Sequence, residues 1–300
     1  MTRTLLGICV AATLAVSACG SSTTSASVKP SPSPHPSLTP TLEATLSVGG
    51  RDRTYLLFRP TTLQSGPLAP LVLALHGYTQ SALELEYATQ LDDEATKAGF
   101  VVVYPQGIQN SWNAGACCGS AQSQNLDDVA FIAQLIDKLV SDRQVDAKRV
   151  YVTGLSNGGF MAYRLACELS DRILAIASVS GAMVTSNCQP TRLVSVLEMH
   201  GTNDPVVPME GNTVDGGIFP PTDSTLRRWA SLDGCGTAPD VAQAGIAKIS
   251  TWGRCREGTR VVLEAIQGGG HSWFAAVDRP TEPDATEVVW SFFSQTPLRP

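Results

Sequence analysis

The chain has 300 residues, of which 43% are hydrophobic and 16% are charged, and its formal net charge is −6 at pH 7. A chain of this length and composition can bury a large core in a single domain. The acidic balance and the absence of a basic stripe exclude a nucleic-acid-binding protein of the usual kind, because no cationic surface is available to neutralise phosphates.

The first twenty residues carry the pattern of an export signal. Arg3 precedes an apolar stretch from Leu5 to Val16, which predicts a signal peptide over residues 1–18. This stretch is shorter than the about 20 residues that span a bilayer. A cysteine directly after small residues is typical of a bacterial lipobox, so Cys19 is predicted to bear lipid and to anchor the protein at the cell membrane or surface. Plain cleavage after Ala18, which gives a secreted protein, is the alternative.

Residues 19–43 are predicted to form a solvated tether. Five prolines between Pro30 and Pro40 nearly alternate with polar residues, so this segment cannot build a core and stays extended. Whether the tether is glycosylated is left open. The remaining residues, 44–300, are predicted to form one folded domain.

Continuous apolar runs alternate with amphipathic segments throughout that domain. This alternation is typical of an α/β fold with a mostly parallel central sheet and helices on both of its faces. The predicted strands cover residues 54–58, 71–75, 100–104, 149–153, 176–179, 193–199 and 260–266, and the predicted helices cover 82–97, 126–139, 157–169, 224–231 and 285–294.

A serine stands at a predicted sharp turn between a strand and a helix. The glycine-rich segment 154–159 directly follows the apolar run Val150–Thr153. Gly154 and Gly158 lack a Cβ, so the strand and the helix can pack closely while Ser156 adopts a strained conformation that exposes its hydroxyl. Ser156 is therefore the candidate nucleophile, and the following helix directs its free N–H groups at the site.

A serine nucleophile needs a base, and the chain offers four histidines. His35 lies in the proline-rich segment, whereas His76 and His200 each end an apolar run and precede glycine. His271 lies in a glycine-rich loop after the last predicted strand, where the backbone is free to bring it to the serine. His271 is therefore the predicted general base.

An acid is needed to orient that base. Asp204 lies in a turn directly after the predicted strand 193–199, which makes it the favoured carboxylate, although Asn-Asp-Pro is also ordinary turn chemistry. The chain order Ser156, Asp204, His271 is the order of the α/β-hydrolases. The rival carboxylates, which follow less distinct strands, are Asp223, Asp233, Asp278 and Asp284.

The predicted oxyanion hole combines two chain segments. The apolar run Leu71–Leu75 leads into His76 and a short loop that, in this fold, supplies one N–H group, while the residue after the nucleophile supplies the other. The expected donors are Tyr78 or Thr79 together with Asn157. His76 precedes the loop and is predicted to be structural.

These segments resemble a known family, the secreted esterases grouped with polyhydroxybutyrate depolymerases, feruloyl esterases and acetyl xylan esterases. The resemblance covers roughly Leu46 to Phe293 and implies an α/β-hydrolase fold and a carboxylic ester hydrolase with Ser156, Asp204 and His271 as its triad. It rests on the motifs RTY at 53–55, LHGY at 75–78, YPQG at 104–107, SWNAG at 111–115, CCG at 117–119, DDVAF at 127–131, GLSNGG at 154–159, HGTND at 200–204 and GGHSW at 269–273.

The resemblance also implies substrate-binding tryptophans. Trp112 is expected to form an aromatic wall of the pocket, with burial in the core as the alternative, and Trp273 is expected to lie at the rim. Proline and glycine usually follow the tryptophan in this family, whereas here Phe274 and Ala275 do. The natural ester is therefore not fixed by the resemblance.

The predicted function is that of an extracytoplasmic serine esterase acting through an acyl-enzyme on feruloyl, acetyl or short polyester-type esters. Its expected partners are a small-molecule or polysaccharide-linked ester and, through the lipid, the membrane. The chain has no nucleotide-binding glycine loop, and we expect no cofactor, no metal and a monomer. The alternative is a non-catalytic cell-surface binding lipoprotein with a hydrolase fold, and a peptidase is the main chemical competitor.

The eight cysteines follow the pattern of exported proteins. Cys9 is removed with the signal and Cys19 is the lipid site, so six cysteines remain, for which fifteen disulfide connectivities are possible. Local pairing joins Cys167 with Cys188 and Cys235 with Cys255, which leaves Cys117 and Cys118 to each other or to a swapped arrangement.

Overall fold

The computed structural model describes residues 41–63, 67–214, 217–275 and 281–299. The predicted signal peptide, Cys19 and residues 19–40 of the predicted tether lie outside these ranges, as does Asp278. The first strand begins at Leu42, two residues before the predicted domain boundary. Within the described ranges, no helix is long and apolar enough to span a bilayer.

The described residues alternate between strands and helices. The helices are α1 (Ala82–Thr89), α2 (Leu91–Ala98), α3 (Gly119–Ser123), α4 (Asp128–Ser141), α5 (Asn157–Glu168), α6 (Thr222–Leu232) and α7 (Ala285–Ser294). The strands are β1 (Leu42–Val48), β2 (Arg51–Phe58), β3 (Ala69–Leu75), β4 (Val101–Pro105), β5 (Val145–Leu155), β6 (Ala175–Val179), β7 (Ser195–Gly201), β8 (Asn212–Val214), β9 (Gly217–Phe219), β10 (Asp240–Ala244), β11 (Ala247–Trp252) and β12 (Val261–Ile266).

Ten of these strands form one sheet in the order β1-β2-β4-β3-β5-β6-β7-β12-β11-β10, and β8 pairs with β9 separately. The six central strands from β4 to β12 run parallel, whereas both edges of the sheet are antiparallel. The predicted mostly parallel sheet is therefore confirmed. Its parallel strands all end at one edge, and the loops that follow β3, β5, β7 and β12 meet there.

Each face of the sheet carries its own hydrophobic core, because side chains alternate along a strand. On β3, Leu71, Leu73 and Leu75 pack into the core that includes α4, α5 and α6. Val72 and Ala74, between them, pack into the core that includes α1, α2 and α7. All five side chains are fully buried, which explains why the sequence is apolar without interruption here.

The elements that the sequence does not predict lie mainly at the edges of the sheet. Every residue of β10 is exposed, so this strand has no apolar pattern, and β1 and β11 are only partly buried. The single helix predicted over 82–97 is two helices, because Gln90 between them adopts a left-handed conformation with φ of 52°. Edge pairing and a local helix break depend on tertiary neighbours rather than on apolar periodicity.

Disulfides join all six cysteines of the described ranges. Cys167 pairs with Cys188 and Cys235 pairs with Cys255, which confirms the two local pairings. Cys117 pairs with its neighbour Cys118, so the swapped arrangement is wrong.

A buried ion pair fixes the chain segment that precedes these vicinal cysteines. Arg53 on β2 donates to Asp128 Oδ1 at 2.7 Å, and the guanidinium lies 4.0 Å from the centre of the Phe131 ring. The other oxygen, Asp128 Oδ2, accepts the backbone N–H of Asn113 at 2.8 Å. Asp128 therefore joins β2, α4 and the loop at residues 111–118.

We expect Asp128→Ala to lower the free energy of unfolding by about 3–5 kcal/mol, because it leaves the Arg53 charge buried without a partner. Denaturant titration of the purified protein measures this loss. The matched control is Asp142→Ala, which removes an exposed helical pair with Lys138 and is expected to cost about 0.5 kcal/mol or less. Equal effects of the two substitutions would contradict this role of Asp128.

Candidate active site

The predicted strand–turn–helix is present around Ser156. This residue lies between β5 and α5 with φ of 55° and ψ of −119°, a region that non-glycine residues seldom occupy. A Cβ on Gly158 would lie 2.0 Å from the carbonyl oxygen of Leu75, and a Cβ on Gly154 would lie 2.4 Å from the carbonyl carbon of Gly158. Both glycines are therefore required by close backbone approach, and Ser156 occupies the apex of the turn.

Asp204 and His271 are brought together by two loops that follow neighbouring parallel strands. The N–H of Asn203, after β7, donates to the carbonyl of Gly269, after β12, at 2.9 Å. His271 Nδ1 then lies 2.7 Å from Asp204 Oδ2. The other oxygen, Asp204 Oδ1, accepts the N–H groups of Val206 and Val207, each at 2.8 Å.

These contacts fix the charge of Asp204. Burial raises its pKa, but the hydrogen bond from His271, the amides of Val206 and Val207 and the nearby imidazole outweigh burial, so the pKa is lowered from its usual value. An ionised carboxylate only accepts hydrogen bonds, so the Nδ1 atom of His271 carries the proton of this contact. The Nε2 atom of a neutral His271 is then a free base.

Ser156 and His271 line one cavity of about 480 Å³. The cavity lies beyond the carboxyl ends of the parallel strands, where ligands bind in α/β proteins. Much of its wall is apolar, and the aromatic rings of Phe160, Phe219 and Tyr78 contribute to it. The other lining residues are Ala116, Cys117, Cys118, Gly119, Gln122, Val206 and Val207.

Of the two donors expected in the loop after β3, the structure favours Tyr78. The N–H of Thr79 donates to the carbonyl oxygen of Asn110 at 2.8 Å, so its assignment to the oxyanion hole is corrected. Within the described part of the chain, the backbone N–H groups of Tyr78 and Asn157 have no hydrogen-bond acceptor. The loop lies against the serine, since a Cβ on Gly77 would be 3.5 Å from Ser156 Cβ.

His76 holds this loop in place as a neutral imidazole. Its Nδ1 lies 2.9 Å from the carbonyl oxygen of Gly77, and its Nε2 accepts the N–H of Gly107 at 2.9 Å. Burial lowers the pKa of His76 to about 4, so one ring nitrogen donates and the other accepts. The prediction that His76 is structural agrees with these contacts.

Both predicted substrate-binding tryptophans lie away from the cavity, which corrects that assignment. For Trp112 the structure shows the alternative, burial in the core. Trp112 is fully buried, and its indole N–H donates to the carbonyl of His76 at 3.0 Å. The Asn157 side chain binds the backbone N–H and carbonyl of Trp112 at 2.8 and 3.1 Å. Trp273 is also buried and donates to Thr286 Oγ1 at 3.0 Å. Both rings therefore pack in the protein interior and do not line the cavity.

The aromatic residues that do line the cavity are harder to identify from the sequence. Phe160 lies four residues after Ser156 on α5, so helical spacing places it on the same face and could have identified it. Phe219, Val206 and Val207 belong to the long segment after β7, whose path cannot be derived from residue pattern. These residues reach the site only because the folded segment packs against it, so the sequence alone does not identify them.

The catalytic roles of Ser156, Asp204 and His271 stay predictions, but the geometry they require is present in part. Ser156 and His271 share a cavity, and Asp204 is bonded to His271. Among the rival carboxylates, Asp223 lies on α6 and bonds Arg227, and Asp233 is buried beside that helix.

Comparison with known proteins identifies the family of the chain. Residues 54–245 match the family model described as esterase PHB depolymerase. The chain is 29% identical over 252 residues to the bifunctional acetylxylan esterase/xylanase XynS20E of Neocallimastix patriciarum, covering 82% of this chain and 34% of that protein. It is 31% identical over 227 residues to feruloyl esterase B of Piromyces equi, covering 71% of this chain and 41% of that protein.

Solved structures agree on the fold. Acetyl xylan esterase from Aspergillus awamori superposes with a TM-score of 0.57 at 18% identity, covering 81% of this chain and 94% of that one. The chain spans about a third and about two fifths of the lengths of the two sequence relatives. From the extent of the family match, together with the strand–serine–helix turn and its loops, the chain belongs to the esterase PHB depolymerase family.

Proposed function

We propose that the protein is an extracytoplasmic serine carboxylic ester hydrolase that works through an acyl-enzyme. The observation that carries the proposal is the 2.7 Å contact between His271 and Asp204 at a cavity that Ser156 also lines. The amides of Tyr78 and Asn157, which have no acceptor among the described residues, support it further, since acyl transfer develops negative charge on oxygen.

In this mechanism, His271 Nε2 accepts the proton of Ser156 Oγ as that oxygen bonds to the ester carbonyl carbon. The carbonyl oxygen becomes an oxyanion, which the N–H groups of Tyr78 and Asn157 stabilise. The imidazolium then donates its proton to the leaving alcohol, and the carbon–oxygen ester bond breaks. Water, deprotonated by the same nitrogen, releases the acid, while Asp204 stabilises the imidazolium in both steps.

The substrate class follows from the cavity wall. Phe160, Phe219 and the vicinal disulfide offer apolar surface to an acyl group, and the two sequence relatives are named for feruloyl and acetylxylan esters. We propose feruloyl or acetyl groups on polysaccharide, or short polyester-type esters, as substrates. Relative kcat/KM on methyl ferulate, p-nitrophenyl acetate and a hydroxybutyrate oligomer tests this, and activity on none of them would contradict it.

A non-catalytic binding protein would share the fold but lack an activated serine. A fluorophosphonate probe reacts with activated serines alone, so we expect the folded protein to be labelled in proportion to its concentration. Heat-denatured protein is the control and stays unlabelled. Absence of label on the folded chain would favour the binding-protein alternative.

We expect Asp204→Asn to lower kcat by about 10³ to 10⁴-fold with little change in stability. The carboxamide oxygen can keep both amide contacts of Oδ1, which places its NH₂ group opposite His271 Nδ1. That nitrogen must then accept a hydrogen bond, so the proton moves to Nε2 and the base is blocked. Steady-state kinetics measure the loss. The matched control, Asp223→Asn at an exposed position of α6, should retain full activity. Equal activity of the two variants would contradict the assignment.

Export and anchoring are part of the proposal. Disulfides form and persist in oxidising compartments, so the three pairs support export. We propose that Cys19 carries a lipid. Cells fed an alkyne-tagged fatty acid should label the wild type and Cys9→Ser, which changes only the signal, but not Cys19→Ser. An unlabelled wild type would indicate plain cleavage after Ala18.

A further inference from the structure

A second buried histidine, which the proposed reaction does not use, lies behind Asp204. His200 is on β7 and fully buried. Its Nδ1 lies 2.9 Å from Glu198 Oε1, and its Nε2 lies 2.7 Å from the carbonyl oxygen of Val207. Both neighbours are acceptors, and a neutral imidazole has only one N–H to donate. While Glu198 is ionised, both contacts are hydrogen bonds only when the ring carries two protons.

Glu198 is surrounded by donors, which favours its ionised form. Its Oε2 accepts the Tyr163 hydroxyl at 3.0 Å, and its Oε1 accepts the N–H of Gly181 at 3.1 Å as well as His200. Burial raises the pKa of Glu198 and outweighs these contacts, so its net pKa is raised. Burial lowers the pKa of His200, but the bond and charge of Glu198 outweigh it, so the net pKa is raised.

His76 shows that burial alone does not decide the charge state. It is equally buried, but one of its nitrogens faces a backbone N–H rather than a second acceptor. That environment keeps His76 neutral, whereas an ionised Glu198 and the Val207 carbonyl together favour an imidazolium at His200. The two buried histidines therefore have different surroundings, and these favour different charge states.

We propose that His200 is a positively charged positioning residue for the triad. This role rests on the proposed esterase function. His200 Nε2 lies 3.5 Å from Asp204 Oδ2, the same oxygen that accepts His271 Nδ1. Its positive charge stabilises the Asp204 carboxylate. Its hydrogen bond to the Val207 carbonyl also fixes the loop whose amides bind Asp204 Oδ1.

The charges around His200 determine in which direction its substitution should shift the pH–rate profile. Glu198 faces it on β7, Asp204 faces it from the following loop, Tyr163 approaches Glu198 from α5, and His271 lies beyond Asp204. When His271 gains a proton during the reaction, Asp204 is flanked by two cations. Removing the charge of His200 relieves that repulsion, so protonation of the base becomes easier and the acid limb of the pH–rate profile moves to higher pH.

The charge state is tested without reference to catalysis. Nitrogen-15 spectra of histidine-labelled Ser156→Ala protein report the protons on each ring nitrogen, and His200→Gln assigns the signals. We expect two protonated nitrogens for His200 at about pH 6.5, because its pKa is raised, and one for His76. A singly protonated His200 near neutral pH would overturn the proposal, whether or not the protein is an esterase.

Kinetics test the positioning role. We expect His200→Gln and Glu198→Gln each to lower kcat by about tenfold to a hundredfold, with KM little changed and the acid limb displaced upward. In an Asp204→Asn background, adding His200→Gln should cost little more, because the group that it positions is already lost. An equal fold-loss in both backgrounds with an unmoved pH profile would mark His200 as merely structural and overturn the role.

Discussion

Ser156→Ala is expected to lower kcat/KM on p-nitrophenyl acetate by about 10⁶-fold, to the level set by substrate binding and the oxyanion hole alone. The substitution removes only the hydroxyl group. Serine and alanine share the Cβ that makes the backbone at φ of 55° strained, and the bond from the N–H of residue 156 to the Val179 carbonyl is retained. The thermal unfolding midpoint should therefore stay close to that of the wild type.

Both readouts are needed, because loss of activity through unfolding would say nothing about the nucleophile. Circular dichroism during heating supplies the control for folding. A folded Ser156→Ala protein that keeps more than about one hundredth of the wild-type kcat/KM would show that another group attacks the ester. It would also remove the basis for assigning His271 and Asp204 as its partners.

Gly158→Ala is expected to destabilise the protein by about 3 kcal/mol or more and to abolish activity at the same time. The added Cβ would lie 2.0 Å from the Leu75 carbonyl oxygen and 2.8 Å from that of His76. Both are backbone atoms at the end of β3, so no side chain can move aside. Relief requires α5 to shift away from β3, which separates Ser156 from the loop that carries Tyr78.

Gly253→Ala is the matched control, because a Cβ there meets nothing within 4 Å and its backbone is not left-handed. Urea titration should place it within about 0.5 kcal/mol of the wild type. If Gly158→Ala were as stable and as active as Gly253→Ala, the close packing of α5 on β3 would not be what positions the nucleophile.

Local chemistry explains which parts of the fold and site could be predicted. The glycines around Ser156 determine a backbone turn within a few residues, so the local sequence predicts the turn. The parallel strands are buried on both faces, and their continuous apolar runs mark them directly. Asp204 and His271 follow two such strands, and the loops that follow parallel strands lie at the same edge of the sheet.

The features that could not be predicted depend on contacts that exist only in the folded chain. Thr79 is unavailable as an oxyanion donor because of Asn110, 31 positions later. Trp112 is buried, and its backbone is bonded by the side chain of Asn157, which lies 45 positions later on a different element. His200 gains its importance from Glu198 and Val207 only once the loop after β7 has folded back on the strand. No sequence motif predicts such contacts.

The most direct test of the account is a crystal structure of the protein after reaction with a small fluorophosphonate. We predict phosphorus bonded to Ser156 Oγ, with the phosphonyl oxygen about 3 Å from the N–H groups of both Tyr78 and Asn157. His271 Nε2 should lie within hydrogen-bond distance of Ser156 Oγ or the phosphonate. An adduct on another residue, or a phosphonyl oxygen directed away from both amides, would contradict the account.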